Sequence, residues 1–240
     1  MSSTGRTRKN ADTGREEKAK RSDGSNADFC PTPDLLARAI VTVCPIRPTD
    51  VVVEPSAGGG AFLRALADVH GYRHAIAVEP HADQYHTLRS SPHGELVERR
   101  WEDYRRPNSA DWVIGNPPFK AAQDHIAYAM MTLKPGGHLV FLLRIGFLQT
   151  SERNAQMETM RPWRRWDIVG RPSFYGGGSD GSEYTAFVWR KGYDDHDGDL
   201  ITRDLRWKDD AQEHRNAATW ATIRRKDWPD FDAWPALPGT

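Results

Sequence analysis

Apolar positions along this chain alternate between two spacings. Leu35, Leu36, Ala39, Ile40 and Val43 recur every three to four residues and predict an amphipathic helix over 34–43, with Thr32 as its N-cap and Pro33 as its first helical residue. Val51, Val52 and Val53 then form a β-branched run that reads as a strand leading into Glu54. A glycine-rich turn, Gly58-Gly59-Gly60, follows and opens a helix carrying Phe62, Leu63, Leu66 and Val69. Residues 74–80 predict a second short strand ending at Glu79 and Pro80, and residues 81–89 a helix. Residues 95–104 predict a third strand whose turn carries Asp103.

Trp112-Val113-Ile114 predicts a buried strand that must stop at Pro117-Pro118, since neither proline has an N–H to donate to a ladder. A helix over 121–133 ends at the breaker Lys134-Pro135-Gly136-Gly137, and the run His138 to Arg144 predicts a fully buried strand. Five strands alternating with helices predict an α/β, doubly wound, mostly parallel sheet, with Glu183 to Trp189 as part of an antiparallel C-terminal hairpin.

The two ends lack this patterning. Residues 1–27 hold no large apolar residue after Met1 and carry seven Lys or Arg against four acids, so they are expected to be a disordered polar tail. Residues 28–192 are expected to form the folded domain, and 193–240 a charged, Trp-rich extension with a helix near 209–225 and a Pro-rich tail. Much of the low mean hydropathy of -0.71 comes from these ends. Formal net charge is zero, so nothing global demands an acidic partner. The two cysteines, Cys30 and Cys44, read as reduced thiols. No apolar run reaches the ~18 residues of a membrane span, and no signal peptide is evident, so a soluble cytoplasmic protein is expected.

The candidate chemistry sits where strands end. In an open α/β sheet, ligands bind beyond the carboxyl ends of the strands. Asn116-Pro117-Pro118-Phe119 places an amide oxygen, a carbonyl and an aromatic ring there, a set suited to gripping both hydrogens of an amino group on a planar ring. Glu54 lies before the glycines, where it would repel a pyrophosphate and suit a ligand with a cationic amino-acid moiety. Glu79 lies 25 residues further on, near the spacing at which such folds place a carboxylate on ribose hydroxyls. Arg161, Arg164, Arg165 and Arg171 interleave with Trp163, Trp166, Phe174 and Tyr175 ahead of Gly176 to Gly178. That mixture suits phosphates and base faces, or alternatively half-exposed aromatics in an edge hairpin. The nine histidines show no ligand spacing, and no metal site is expected.

Taken in this order, the motifs resemble those of class I S-adenosylmethionine-dependent amino-methyltransferases, and among them small phage-type DNA adenine methyltransferases in the gamma arrangement. The resemblance covers roughly residues 28–190. It implies a Rossmann-like fold with S-adenosylmethionine as cofactor. The expected cofactor contacts are Phe29, Thr32 and Pro33 from the N-terminal segment, then Glu54, Pro55, Ser56, Ala57, Gly58, Gly60 and Phe62 from the glycine motif. Glu79 and Pro80 would hold the ribose, Asp103 and Tyr104 the cofactor's adenine, and Asn116 borders both sites. Asn116, Pro117, Pro118 and Phe119 would be catalytic, with Phe119, Lys120, Phe174, Tyr175, Ser182 and Tyr184 around the target base.

The implied partner is nucleic acid, with DNA as the first reading. The same motif also serves methylation of adenine in RNA, of cytosine's amino group and of a protein glutamine amide. The glutamine enzymes usually carry Tyr where this chain has Phe119, and a helical domain before the cofactor region. A catalytically silent nucleic-acid-binding protein of the same fold is the reading from a different class. The glycine motif departs from the common Gly-x-Gly by reading Ala57-Gly58-Gly59-Gly60, and the short stretch after Tyr184 implies short recognition sequences.

Overall fold

β1 (Val52–Glu54) is buried along its whole length because both faces of the sheet it belongs to are covered. The computed structural model describes residues 30–149, 160–174, 181–192, 200–210 and 228. The other strands are β2 (Ile76–Val78), β3 (Glu95–Val97), β4 (Ala110–Gly115), β5 (Leu133–Arg144), β6 (Arg164–Ile168), β7 (Tyr184–Arg190) and β8 (Ile201–Leu205). The eight make one sheet in the order β3-β2-β1-β4-β5-β7-β6-β8. All neighbours pair in parallel except β7, which runs antiparallel to both β5 and β6. The expected doubly wound, mostly parallel sheet with an antiparallel C-terminal hairpin is what the chain forms.

Helices α1 (Asp34–Thr42), α2 (Ala61–His70), α3 (Tyr85–Ser90) and α4 (Ala122–Thr132) accompany the sheet. Successive residues of β4 point to opposite faces. Trp112 and Ile114 join a core with Leu36, Ile40, Phe62 and Leu66 from α1 and α2. Val113 joins a second core with Ile126 and Ala129 from α4 and with Leu139 and Phe141 from β5. The central pair β1–β4 is thereby locked from both sides, and its carboxyl ends form a rigid edge.

Several expectations need correction. Thr32 does not cap α1: the N-cap is Pro33, without a side-chain cap hydrogen bond, and helical residues begin at Asp34. Thr32 is used elsewhere, as described below. The third strand spans only Glu95–Val97, because Trp101 turns inward through the 3₁₀ turn Trp101–Asp103 and stacks on Tyr104 at 5.2 Å. Lys134 to Gly137 does not separate helix from strand but lies inside β5, whose register with β4 shifts between Ala110 and Trp112. Gly136 takes a left-handed φ of 80° and donates to the Lys191 carbonyl at 2.8 Å. A Cβ on Gly137 would stand 3.0 Å from the Asp111 carbonyl, so the close passage of the strands there requires glycine.

The sheet has eight strands rather than the six expected, five in the α/β alternation and one in the hairpin, because β6 and β8 were hidden. In β6, Arg164, Trp166 and Ile168 point inward and Arg165 and Asp167 lie at intermediate depth. Arg164 is 1% exposed, with its guanidinium carbon 4.8 Å from the Trp163 ring and 5.4 Å from the Trp228 ring. The interleaved Arg/Trp stretch is thus partly a cation–π core and not, at Arg164 and Trp166, a surface for nucleic acid. Beyond residue 192, β8 extends the sheet, and buried Trp228 donates its indole N–H to the Val43 carbonyl at 2.7 Å and packs edge-on against Trp112 at 5.6 Å. The polar tail 1–27 and most of the helix expected at 209–225 lie outside the described residues.

Trp228→Ala should cost about 3–5 kcal/mol, lowering the melting temperature by roughly 10 °C. Differential scanning calorimetry checks this, and an unchanged melt would remove Trp228 from the core.

Candidate active site

β1 leads away to β2 and β3 on one side and β4 leads to β5 on the other, so the strand order reverses between them, the place where open α/β sheets hold ligands. A cavity of about 150 Å³ opens there. Its wall combines the end of β1, the glycine loop, the end of β2, the turn after β4, and the segment Cys30 to Thr32.

The turn after β4 is held from an unexpected side. Asn116 Nδ2 donates to the Cys30 carbonyl at 3.2 Å and to Thr32 Oγ1 at 3.1 Å. With both amide hydrogens committed, the side chain cannot flip, and Oδ1 is left as the free end. That oxygen is buried with no hydrogen-bond partner. Thr32 and Cys30 therefore orient Asn116. Pro118's carbonyl accepts from the Ala121 N–H at 3.0 Å, closing the turn into α4.

Phe119 is half-buried beside the turn. Tyr184 lies 5.8 Å from it and Phe174 lies 4.8 Å from Tyr184. Tyr184 and Phe174 are buried, so they back Phe119 rather than line the cavity. The Arg144 guanidinium, at the end of β5, sits 5.1 Å from the Phe119 ring centre. Lys120 is exposed and Ser182 half-buried, and neither lines the cavity.

The two acids meet across the glycine loop. Glu79 accepts from the Gly58 N–H at 2.8 Å and from the His81 N–H at 2.9 Å, so it anchors the loop as well as facing the cavity. Gly58 and Gly60 hold φ of 49° and 78°, which favour glycine. A Cβ on Gly60 would also meet Ser91 Oγ at 2.7 Å. Glu54 is 2% exposed, and its Oε2 has no hydrogen-bond partner. Burial first, and then the charge of Glu79, pushes the Glu54 carboxyl well above its ordinary range. Burial raises Glu79 too, against the two amides that favour its charged form. A buried acid pair with an unsatisfied oxygen is poised for a cationic donor.

Of the expected cofactor residues, Thr32, Glu54, Ser56, Ala57, Gly58, Glu79, Pro80 and Asn116 line the cavity. Pro33, Pro55, Gly60 and Phe62 do not: they shape the helix start, the strand end and the core behind it. Asp103 is exposed and Tyr104 buried against Trp101, and neither reaches the cavity wall. Phe29 and Tyr175 lie outside the described residues.

Sequence reasoning missed Arg64 and the Cys30 carbonyl. Arg64 donates to the Gly59 carbonyl at 2.6 Å and to Asp34 Oδ1 at 2.6 Å, tying the glycine loop to the start of α1. Its place four residues after Gly60 on the first turn of α2 was visible, but its partner 30 residues away was not. Among the described residues, no group of three or more His, Cys, Asp or Glu is placed to hold a metal ion. Among them, too, no helix is long and apolar enough to cross a membrane.

No protein-family model matches this chain, and no curated protein does either. Solved structures do share its fold. One is described as a predicted O-methyltransferase from Agrobacterium tumefaciens, with a TM-score of 0.54 and 20% identity over 72% of this chain and 86% of that one. Another, from Listeria monocytogenes, is provisionally assigned to the class I S-adenosylmethionine-dependent methyltransferases, with a TM-score of 0.56 and 15% identity over 84% and 72% of the two chains. A third is the M protein of the type I restriction enzyme EcoKI, with a TM-score of 0.53 and 17% identity over 68% of this chain but only 44% of that one. At these identities the likeness establishes the Rossmann-like class I methyltransferase fold.

Because the folded state binds the Glu54 proton more tightly than the unfolded chain, the stability this group contributes is present at low pH and lost as pH rises through its elevated folded value. Glu54→Gln should therefore melt above the parent at neutral pH, by about 2–4 °C for each kcal/mol relieved. The gap should close as pH falls towards the ordinary glutamate range of about 4. Thermal melts across pH check this, and a variant less stable at every pH would contradict it.

Proposed function

We propose that this chain is a class I methyltransferase that moves a methyl group from S-adenosylmethionine to the exocyclic amino group of adenine in DNA. The carrying observation is Asn116, a cavity-lining residue whose amide hydrogens are both committed to Cys30 and Thr32, which leaves its buried Oδ1 as the acceptor without a hydrogen-bond partner. An acceptor fixed in this way discriminates for a hydrogen-bond donor, and an aromatic amino group brings two hydrogens.

The residues of the cavity fit the cofactor. The unsatisfied Glu54 oxygen suits the cationic amino group of its methionine end, and Glu79 suits ribose hydroxyls. Bound S-adenosylmethionine supplies a methyl group already activated as a sulfonium, so the protein needs neither a metal nor a strong base. Asn116 Oδ1 and the Pro117 carbonyl accept the two amino hydrogens, which favours a tetrahedral nitrogen with a localised lone pair. A nitrogen held in this way would take the methyl group as the carbon–sulfur bond breaks, with the electron pair left on sulfur. The nitrogen then sheds one proton to water. Positioning and electrostatics supply most of the rate.

Phe119, backed by Tyr184 and Phe174, offers a face on which a flipped base stacks, offsetting part of the few kcal/mol that flipping costs. Arg144 and Lys120 bring positive charge to the rim of the same turn, as a phosphate backbone requires. The fold shared with the M protein of a type I restriction enzyme favours DNA over RNA or a protein amide. The motif order is that of the gamma arrangement, and the resemblance to small phage-type adenine methyltransferases belongs to this proposal.

Asn116→Ala should retain cofactor affinity within about threefold yet lose at least ~10²-fold in transfer, measured by calorimetry and by a labelled-methyl assay. Near-normal transfer would sink the mechanism. Glu79→Ala should weaken cofactor binding by roughly 10- to 100-fold, through the lost ribose contact and the loosened glycine loop. Unchanged affinity would refute that role.

A further inference from the structure

Ser56 and His125 join the cofactor loop to the helix that follows the Asn116 turn. Ser56 Oγ lies 3.1 Å from His125 Nε2, and His125 Nδ1 lies 3.0 Å from the Ala121 carbonyl. A carbonyl oxygen has no hydrogen to give, so Nδ1 carries the proton of the neutral ring and donates it to Ala121. Nε2 is then an acceptor, and the Ser56 hydroxyl must donate to it. Ser56 also lines the cavity, next to Glu54. With its hydrogen spent on His125, it faces a ligand through its lone pairs alone.

The ring is firmly placed. His125 is 8% exposed, its N–H donates to the Ala121 carbonyl at 2.9 Å, and Trp101 Nε1 donates to its carbonyl at 3.2 Å. None of these contacts takes part in the methyl transfer described above.

We propose that His125 is a positioning residue that makes Ser56 an obligate hydrogen-bond acceptor in the cavity, and that the donor Ser56 receives is the ammonium group of the cofactor's amino-acid end. This rests on the cofactor reading given above. Glu54, whose Oε2 lacks a partner, and Ser56, with its lone pairs, both line the cavity and lie two residues apart in the chain, and together they bring the acceptors a three-donor ammonium needs.

The arrangement carries a pH dependence with a definite sign. A second proton on His125 turns Nε2 into a donor, so Ser56 must accept there and swing its own hydrogen away from the ring, towards the cavity. A donor then faces the ammonium, and affinity falls. The charged groups around the ring, Glu102 and Asp124, favour that proton, but burial opposes it more strongly and holds His125 below its ordinary value. Loss of affinity through His125 is therefore confined to acidic solution. Glu54 and Glu79 titrate in the same cavity and also weaken cation binding as they gain protons, so the wild-type profile contains both contributions.

His125→Gln separates them. Its carboxamide oxygen accepts the Ser56 hydrogen and gains no proton, while both acids remain. The affinity of the full-length protein for S-adenosylmethionine is measured by calorimetry between about pH 5 and pH 8, for the parent, His125→Gln and Ser56→Ala. The parent should lose affinity on acidification about fivefold or more beyond the loss in His125→Gln, and Ser56→Ala should show the shallower profile of the Gln variant. Superimposable profiles for all three would overturn the proposal. Should His125→Gln fail to fold, the comparison of Ser56→Ala with the parent decides alone, a matching slope being the contrary result. Absence of binding at every pH would instead overturn the cofactor reading, and this inference with it.

Discussion

Pro117 and Pro118 have no amide hydrogen to give to a sheet, and the site depends on that deficiency. β4 runs buried between β1 and β5 and must stop after Gly115, at the carboxyl edge of the sheet. The chain turns there without a ladder to join, so Asn116 is free to bond sideways to Cys30 and Thr32. Because β1 ends in the neighbouring position, Glu54 faces the same space. One steric rule thus sets an acceptor and an acid at the reversal of strand order.

The alternation of strand and helix was legible in the sequence, because β1, β2, β4 and β5 are apolar runs buried on both faces and α1 and α2 carry continuous apolar stripes. The glycine loop with its acids and the Asn116 turn were legible for a different reason: their residue types are costly unless chemistry requires them. β6 and β8 were not legible. β6 spends a core position on Arg164, whose guanidinium lies against the rings of Trp163, Trp166 and Trp228, and the last of these is distant in sequence. β8 places Thr202, Arg203 and Asp204 on an exposed edge, without an apolar alternation to betray it.

Long-range polar partners account for the remaining surprises in the site. Thr32 looked like a helix cap because capping is the local use of a threonine before a helix, yet its oxygen serves Asn116, 84 residues away. Tyr184 and Phe174 looked like base-holding residues, but they are buried behind Phe119. Glu54 shows the other side of the same economy: a carboxylate enclosed with an unsatisfied oxygen is a cost to folding, which a proton relieves by neutralising it and a bound cation would offset. Such local conflict between stability and arrangement concentrates at functional sites.

The Asn116 turn is proposed to grip an aromatic amino group opposite a methyl donor. The most direct measurement gives the wild-type protein methyl-labelled S-adenosylmethionine together with DNA, RNA and protein, separates the three, and identifies the modified unit by mass spectrometry. The account predicts label in DNA, on the exocyclic nitrogen of adenine. Label confined to a protein amide, or no transfer to any acceptor by protein that binds the donor, would contradict it.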